Sequence, residues 1–400
     1  MNSYDANRIR DAFQAVSGPV SRTIDRRSLL KTGGALGLTG LVMAMLPGGR
    51  QFASAHSNHQ DAAASPVPGP QADGTNLWKV VVGGMDMENK LDFQGFFPGE
   101  IVINAGDQIW FESAMPGLHN AWFGYGAEPP ALFIPDPELA SPAAGEMPSL
   151  VLNPDMILPT PNQVVDGVTP VNTGIDILWD PAIPVIVTFS TPGTYAYLCI
   201  PHQAVMRGTI IVQEAGSALP LDQAGVDALA AEQLAALAAE GMAATAEFAE
   251  PVAEAQADGS TLWTAALGAG GGQARVMAIL PSVLEIKAGD SVKWINQSPG
   301  EPHNVTFLGE GETPPEEFEV TAFADGRPKF TQNMATFLPS GTTVWEGTGY
   351  MQSGFMGIPE LGLPMEFTAS FPVAGEFIYY CSLHGDAEGG GMAATLRVVE

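Results

Sequence analysis

The sequence predicts an all-β chain built from two copies of one β-sandwich, joined by a helical segment. Three observations carry this. Ala72-Asp73-Gly74-Thr75-Asn76-Leu77-Trp78 returns as Ala257-Asp258-Gly259-Ser260-Thr261-Leu262-Trp263, and Val102-Ile103-Asn104-Ala105-Gly106-Asp107 returns as Leu284-Glu285-Ile286-Lys287-Ala288-Gly289-Asp290, at offsets within a few residues of 184. Both halves consist of short β-branched runs bounded by Gly, Pro, Asn and Asp turns. Between them the composition changes: no Lys or Arg occurs from Arg207 to Arg275, and Ala and Glu dominate.

The chain has 400 residues, enough for two or three domains, and 46% apolar content, enough for each half to bury a core. Its formal charge is −28 although only 15% of residues are charged, because Lys and Arg are scarce. That is not the composition of a charge-dense disordered protein. Nucleic acid is excluded as a partner, since no basic patch exists to neutralise phosphate. The acidity suits either a solvated surface or a basic redox partner.

Residues 1–55 carry the marks of an export signal. Asp25-Arg26-Arg27-Ser28-Leu29-Leu30-Lys31 resembles the twin-arginine pattern, an apolar run from Gly33 to Leu46 follows, and Ala53-Ser54-Ala55 is a small-residue cleavage site. An uncleaved N-terminal anchor is the competing reading. Residues 56–74 are rich in Ala, Pro, Ser and Gln and form the expected linker. Cleavage after Ala55 puts His56 at the new N-terminus, where amine and imidazole together can chelate copper; a flexible polar leader explains His56 and His59 as well.

The first domain is expected over 75–214. Leu77 to Val82, Glu100 to Asn104 and Gln108 to Glu112 read as strands, with Ala105-Gly106-Asp107 as a turn. Gly117-Leu118-His119-Asn120 follows. The 79 residues between His119 and Cys199 exceed what a minimal sandwich needs. From Glu128 to Pro170 this insert is punctuated by Pro and is hardly regular sheet; it covers one face of the domain or forms a contact. Val185 to Phe189 resumes the strand pattern, and Gly208 to Val212 closes the domain.

Residues 215–258 predict an acidic helical linker, with one helix over roughly 222–248 and Asp222 as its cap. Val226, Leu229, Leu234 and Leu237 make it either a spacer between beads or a strut packed on a domain. The second domain, 259–400, repeats the first.

The chemistry lies in Tyr197-Leu198-Cys199-Ile200-Pro201-His202-Gln203-Ala204-Val205-Met206. It places a thiol, an imidazole and a thioether within eight residues, with His119 upstream. Two His, one Cys and a weak axial Met form the trigonal ligand set of a blue-copper electron-transfer site. A Cys at a strand end and a His three residues on, past a tight turn, can aim at one centre. Met206 closes the loop as the next strand begins. A single Cys-x-x-His would read rather as a buried structural Cys near an unrelated surface His. The recurrence of the pattern as Tyr379-Tyr380-Cys381-Ser382-Leu383-His384, with Pro302-His303-Asn304-Val305 upstream, favours the metal. Only two Cys occur, both in these motifs, so no disulfide is expected.

Met392 follows His384 by eight residues, whereas Met206 follows His202 by four. Aligning Met206-Arg207-Gly208-Thr209 with Met392-Ala393-Ala394-Thr395 supports Met392 as the axial group. The longer loop either bulges outward, or lets Asp386 or Glu388 approach the metal.

On these residues the chain resembles tandem cupredoxin domains of the plastocyanin/azurin kind, over most of residues 75–400. The resemblance implies two Greek-key cupredoxin β-sandwiches and two coppers per chain. One would be held by His119, Cys199, His202 and Met206, the other by His303, Cys381, His384 and Met392. It also implies that Asn120 and Asn304 tie the His segment to the Cys segment. The downstream His202 and His384 would then lie near the surface amid apolar residues, with Pro201, Ala204 and Val205 around the first, as the electron's exit.

The function implied is that of an exported blue copper protein carrying single electrons between protein redox partners. Its place would be periplasmic, extracellular or cell-surface, with peripheral membrane association left open. The rival is a two-domain copper oxidoreductase, resembling nitrite reductases or small laccases. Those need further imidazoles beside the ligand Cys or in His-x-His pairs. Here Leu198 and Tyr380 precede the Cys, no His-x-His occurs, and only His56 and His59 remain beyond the four ligand His. The expectation is therefore not an enzyme. Copper storage ranks last, because the 16 Met are scattered.

Overall fold

A computed structural model describes residues 66–115, 117–143, 146–180, 183–358 and 362–400. The expected export signal, His56, His59 and the start of the linker lie outside them.

The repeated Leu-Trp and Ala-Gly-Asp strings meet in space. Asp107 is buried and accepts from the Asn76 backbone N–H at 2.7 Å, the Asn104 N–H at 3.0 Å and the Trp78 indole N–H at 2.9 Å. Asp290 does the same for Thr261, Lys287 and Trp263 at 2.7, 3.0 and 3.0 Å. One carboxylate thus fastens the first strand of each half to the turn between two later ones. Gly106 and Gly289, at φ 96° and 97°, supply the left-handed turn beside it.

The protein is mostly β-sheet. In the first half, Asn76–Val82 runs parallel to Gln108–Ser113, which pairs antiparallel with Val185–Phe189. The facing sheet sets Arg207–Gln213 between Gly193–Leu198 and Glu100–Asn104, the last pairing parallel with Ile101 opposite Ile210. In the second half, Thr261–Ala269 runs parallel to Ser291–Asn296, and Gly391–Val399 parallel to Val283–Lys287 with Leu284 opposite Leu396. Each pair of sheets closes on its own apolar core, one around Phe111, Phe123 and Tyr197, the other around Trp294, Phe307 and Tyr379. Strand alternation sends these side chains inward.

The halves are not separate beads. Leu91–Phe93, from the first half, adds to the edge of Ala274–Leu280 in the second, with Arg275 opposite Asp92. The two long inserts also join. Phe133–Pro135 and Leu150–Leu152 continue into Pro328–Gln332 and Phe318–Ala322 as one four-stranded sheet, with Val151 opposite Thr331. The Pro-rich insert therefore contains sheet, contrary to expectation. Its three-residue strands pair with each other, Val151 opposite Ile134, and are extended into a sheet by the other half, so no local pattern announces them.

The helix Gln223–Glu247 is a strut. Asp222 caps it by accepting from the Gly225 N–H at 2.9 Å. Ala230, Leu234 and Leu237 pack with Leu91, Phe93 and Phe97 of the first half and with Ala266 and Val276 of the second. The chain also enters the sheets earlier than the expected linkers allow, since Gly69–Pro70 pairs with Leu77 and Asn76, and Val252–Ala255 with Thr261–Ala269. Among the described residues no helix is long and apolar enough to cross a membrane.

Candidate metal centres

Cys199 follows directly on Gly193–Leu198. The His202 carbonyl accepts from Val205 N–H at 3.0 Å and Met206 N–H at 2.9 Å, and Cys199 N–H donates to the Met206 carbonyl at 2.9 Å. This turn folds His202 back toward the thiol. His119 arrives from the segment between Gln108–Ser113 and Trp122–Phe123. Cys199 Sγ lies 3.5 Å from His202 Nδ1 and 4.0 Å from His119 Nδ1, and the two Nδ1 atoms are 3.1 Å apart. Met206 is fully buried in the same core as Cys199.

The second half repeats this. Cys381 Sγ lies 3.4 Å from His384 Nδ1 and 3.9 Å from His303 Nδ1, which are 3.2 Å apart. Cys381 sits inside Gly375–Gly385, at a break in register between Tyr380 and Gly385. The longer loop turns on itself: Asp386 Oδ1 accepts from the Glu388 and Gly390 N–H groups at 3.0 and 2.8 Å. Met392 is fully buried in the core that holds Cys381.

Asn120 Oδ1 accepts from the Ile200 N–H at 2.8 Å, joining the His and Cys segments, and Asn304 Oδ1 does so from Ser382 N–H at 2.8 Å. Space for the upstream imidazoles comes from two glycines at matching places. A Cβ on Gly83 would sit 2.8 Å from His119 Cδ2, and one on Gly268 2.7 Å from His303 Nε2. Both have positive φ, 65° and 63°.

Burial pushes the Cys199 thiol up, but His202 and His119 outweigh it and bring it down to about 6. His119 is raised to about 10: burial opposes this, and Cys199 and Asp176 overcome it. Cys381 is likewise held well below the ordinary thiol by His384 and His303 against its burial. His384 rises to about 9 against its burial, through Cys381 and Glu301. The sulfurs are thus poised as thiolates, the form that binds metal.

The donor atoms of each cluster lie within 4.8 Å of one another. Ligand bonds of about 2.0 Å to N and 2.3 Å to S put trigonal donors roughly 3.5–3.7 Å apart. The observed 3.1–4.0 Å therefore fits one small ion per cluster, and a soft thiolate with two imidazoles suits copper.

Four groups at the centres carry no sequence signal of their own. Asp176, buried, accepts from the Gly117 and His119 N–H groups at 3.0 Å each and from the Ser113 hydroxyl at 2.8 Å, bracing the His119 loop. Asn172 Oδ1 accepts from Asn120 Nδ2 at 2.9 Å. Glu317, buried, accepts from the Ser382 hydroxyl. Glu301 stands between the centres, with Oε2 3.7 Å from His202 Nε2 and Oε1 3.3 Å from His384 Nε2. Burial works against its charge, yet His384, His202 and His303 hold its carboxyl far below the usual range. One clue existed. The repeat aligns Glu301 with Gly117, so the copies differ there.

The downstream imidazoles are not at an open surface. The His202 and His384 side chains are 13% and 11% exposed, and their Nε2 edges turn toward each other across Glu301. Docking of the two halves closes the face that a single domain would leave free.

Residues 168–213, which carry Cys199, His202 and Met206, match the family model described as copper binding proteins, plastocyanin/azurin family. That segment has the signature of a cupredoxin copper-binding domain. Among solved structures the chain is similar to a mutant of amicyanin in its Cu(I) form, at 19% identity over 39% of this chain and 89% of that one, with a TM-score of 0.20. It is also similar to a pseudoazurin from Sinorhizobium meliltoi, at 22% identity over 39% of this chain and 95% of that one, with a TM-score of 0.19. No curated protein matches the chain.

Proposed function

We propose that the protein is an exported carrier of single electrons, with one type 1 copper in each half and no catalytic metal. The observation that supports this most is the buried thiol flanked by two imidazole Nδ1 atoms, present twice. Copper bound there supplies one electron per centre by cycling between Cu+ and Cu2+. The protein does the rest. Cys199 and Cys381 offer thiolates, His119, His202, His303 and His384 offer Nδ1, and Met206 and Met392 offer thioethers from the core. Asn120, Asn304 and Asp176 hold the ligand segments in place, so that little rearranges between the two charge states. Buried packing around each thiol keeps water away.

On this reading residues 1–55 direct the chain out by the twin-arginine route, and donor and acceptor are proteins. The acidic surface suits basic partners, and peripheral membrane association would bring it near membrane donors. The test is copper content, visible absorption and spin resonance of the wild type beside Cys199→Ser and Cys381→Ser. Two coppers per chain, intense visible absorption, one class of copper signal and loss of one copper in each variant are expected. A second class of copper signal with turnover of nitrite or oxygen would replace the carrier with an oxidoreductase.

A further inference from the structure

Gly117 of the first half and Glu301 of the second hold the same place in the repeat, two residues before the His of each His-Asn pair. A Cβ on Gly117 would come 3.1 Å from His119 Cδ2. Glu301 reaches the same cavity between the halves that Gly117 borders. With Gly117, Gln94, His119, His202 and His384 it lines a cavity of about 70 Å³ there. Asp92 of the first half also lines it, but Glu301 is the carboxylate within 4 Å of His202 and His384.

The carboxylate is clamped. Gln94 Nε2 donates to Glu301 Oε2 at 2.6 Å. Arg275 Nε donates to Gln94 Oε1 at 3.3 Å, while its Nη1 donates to the carbonyls of Gly270 at 2.7 Å and Pro299 at 3.1 Å. Arg275, Gln94 and Glu301 are 2%, 1% and 5% exposed, so the carboxylate cannot swing into water. Its two oxygens are aimed at imidazoles of different halves.

We propose that Glu301 is the positioning residue of both metal centres, so that a carboxylate borne by the second half sets the copper affinity of the first. The proposal rests on the copper reading above. A carboxylate facing Nε2 favours the tautomer with its proton on that nitrogen and leaves the Nδ1 lone pair to the metal. At His384 the 3.3 Å approach does this directly. At His202 the gap is 3.7 Å, beyond a hydrogen bond, and the carboxylate acts there through its charge.

The test isolates each centre in the full chain. Cys381→Ser leaves the first centre alone and Cys199→Ser the second. Glu301→Gln is then added to each, and Cu+ affinity is read by competition with a chromogenic chelator. Loss of an outer partner of a ligand imidazole costs about ten- to a hundredfold in affinity, and that loss is expected at both centres. Both reduction potentials should also rise, because a carboxylate near a ligand favours the more highly charged ion. A loss confined to the second centre, or at neither, overturns the proposal. If the two parent variants bind no copper at all, the copper reading itself fails, and this proposal with it. Should Glu301→Gln not fold, Gln94→Ala loosens the same carboxylate without removing it. It should weaken both centres, and anything less than a loss at both overturns the proposal.

Discussion

Lys329 of the second half closes on Asp136 of the first, with Nζ 2.5 Å from Oδ2 and the two side chains 12% and 2% exposed. Glu138 joins at 3.1 Å. This ion pair pins the sheet that the two inserts build together. Removing one partner of a buried pair strands the other charge, which costs about 3 kcal/mol or more. Lys329→Met should lower unfolding stability on that scale, and Lys329→Met with Asp136→Asn should recover much of it in urea titrations. The pH dependence follows in sign. Burial pushes the Asp136 carboxyl up, but Lys329 and the Glu138 N–H hold it below the ordinary value. Its contribution is present above about pH 4 and is lost as pH falls through the folded-state value. Lys329→Met should therefore shift acid unfolding to higher pH.

Gly83 and Gly268 each leave room for one imidazole, and both need positive φ. Gly83→Ala should displace His119 and reduce bound copper from two per chain to one. Gly268→Ala should do the same through His303. Metal analysis beside the visible spectrum reads both, and an unchanged count would contradict the assigned cradles.

Asn120→Ala removes the acceptor of the buried Ile200 N–H. An orphaned buried donor costs about 1–3 kcal/mol. The same variant frees Cys199 from the His119 segment, so copper loss should speed up at the first centre and not at the second. Thermal unfolding and a chelator time course check the two parts.

Gly241 tests which of two opposed effects wins. Gly to Ala inside a helix gains about 1 kcal/mol from propensity alone. Here a Cβ would meet Leu91 Cδ2 and Cδ1 at 2.7 and 2.8 Å, and Leu91 is fully buried. Overpacking costs about 1–3 kcal/mol, so Gly241→Ala should destabilise the protein in thermal unfolding.

His202 and His384 turn their Nε2 edges to one carboxylate rather than to solvent. On the carrier reading, an electron placed on one half should reach the other within the same chain. Flash or pulse reduction should show an exchange phase whose rate does not depend on protein concentration. A rate proportional to concentration would mean exchange only between molecules.

Much of each candidate centre was legible because its information is local. The three-residue step from Cys to His, the Met before the last strand and the His-Asn pair are short patterns, and duplication displayed each of them twice. The Asp222 cap and its helix were legible for the same reason. Asp176 was not: it is one of 44 acidic residues, and only the folded loop brings it to the N–H groups of Gly117 and His119. The sheet shared by the inserts was missed because its strands are three to five residues long and the two hairpins join only through one pairing across the halves.

The amino-acid sequence alone determined that there are two sandwiches, which segments of each bear sulfur and imidazole, and that a helix lies between them. Side-chain alternation, turn residues and ligand spacing repeat over a few residues and can be read along the chain. Only the tertiary structure decided that the two imidazole edges meet, that one carboxylate lies between them, and that Gln94 and Glu301, 207 residues apart, hold each other. Docking of that kind sums many weak contacts between distant segments, and such contacts leave no period in the sequence.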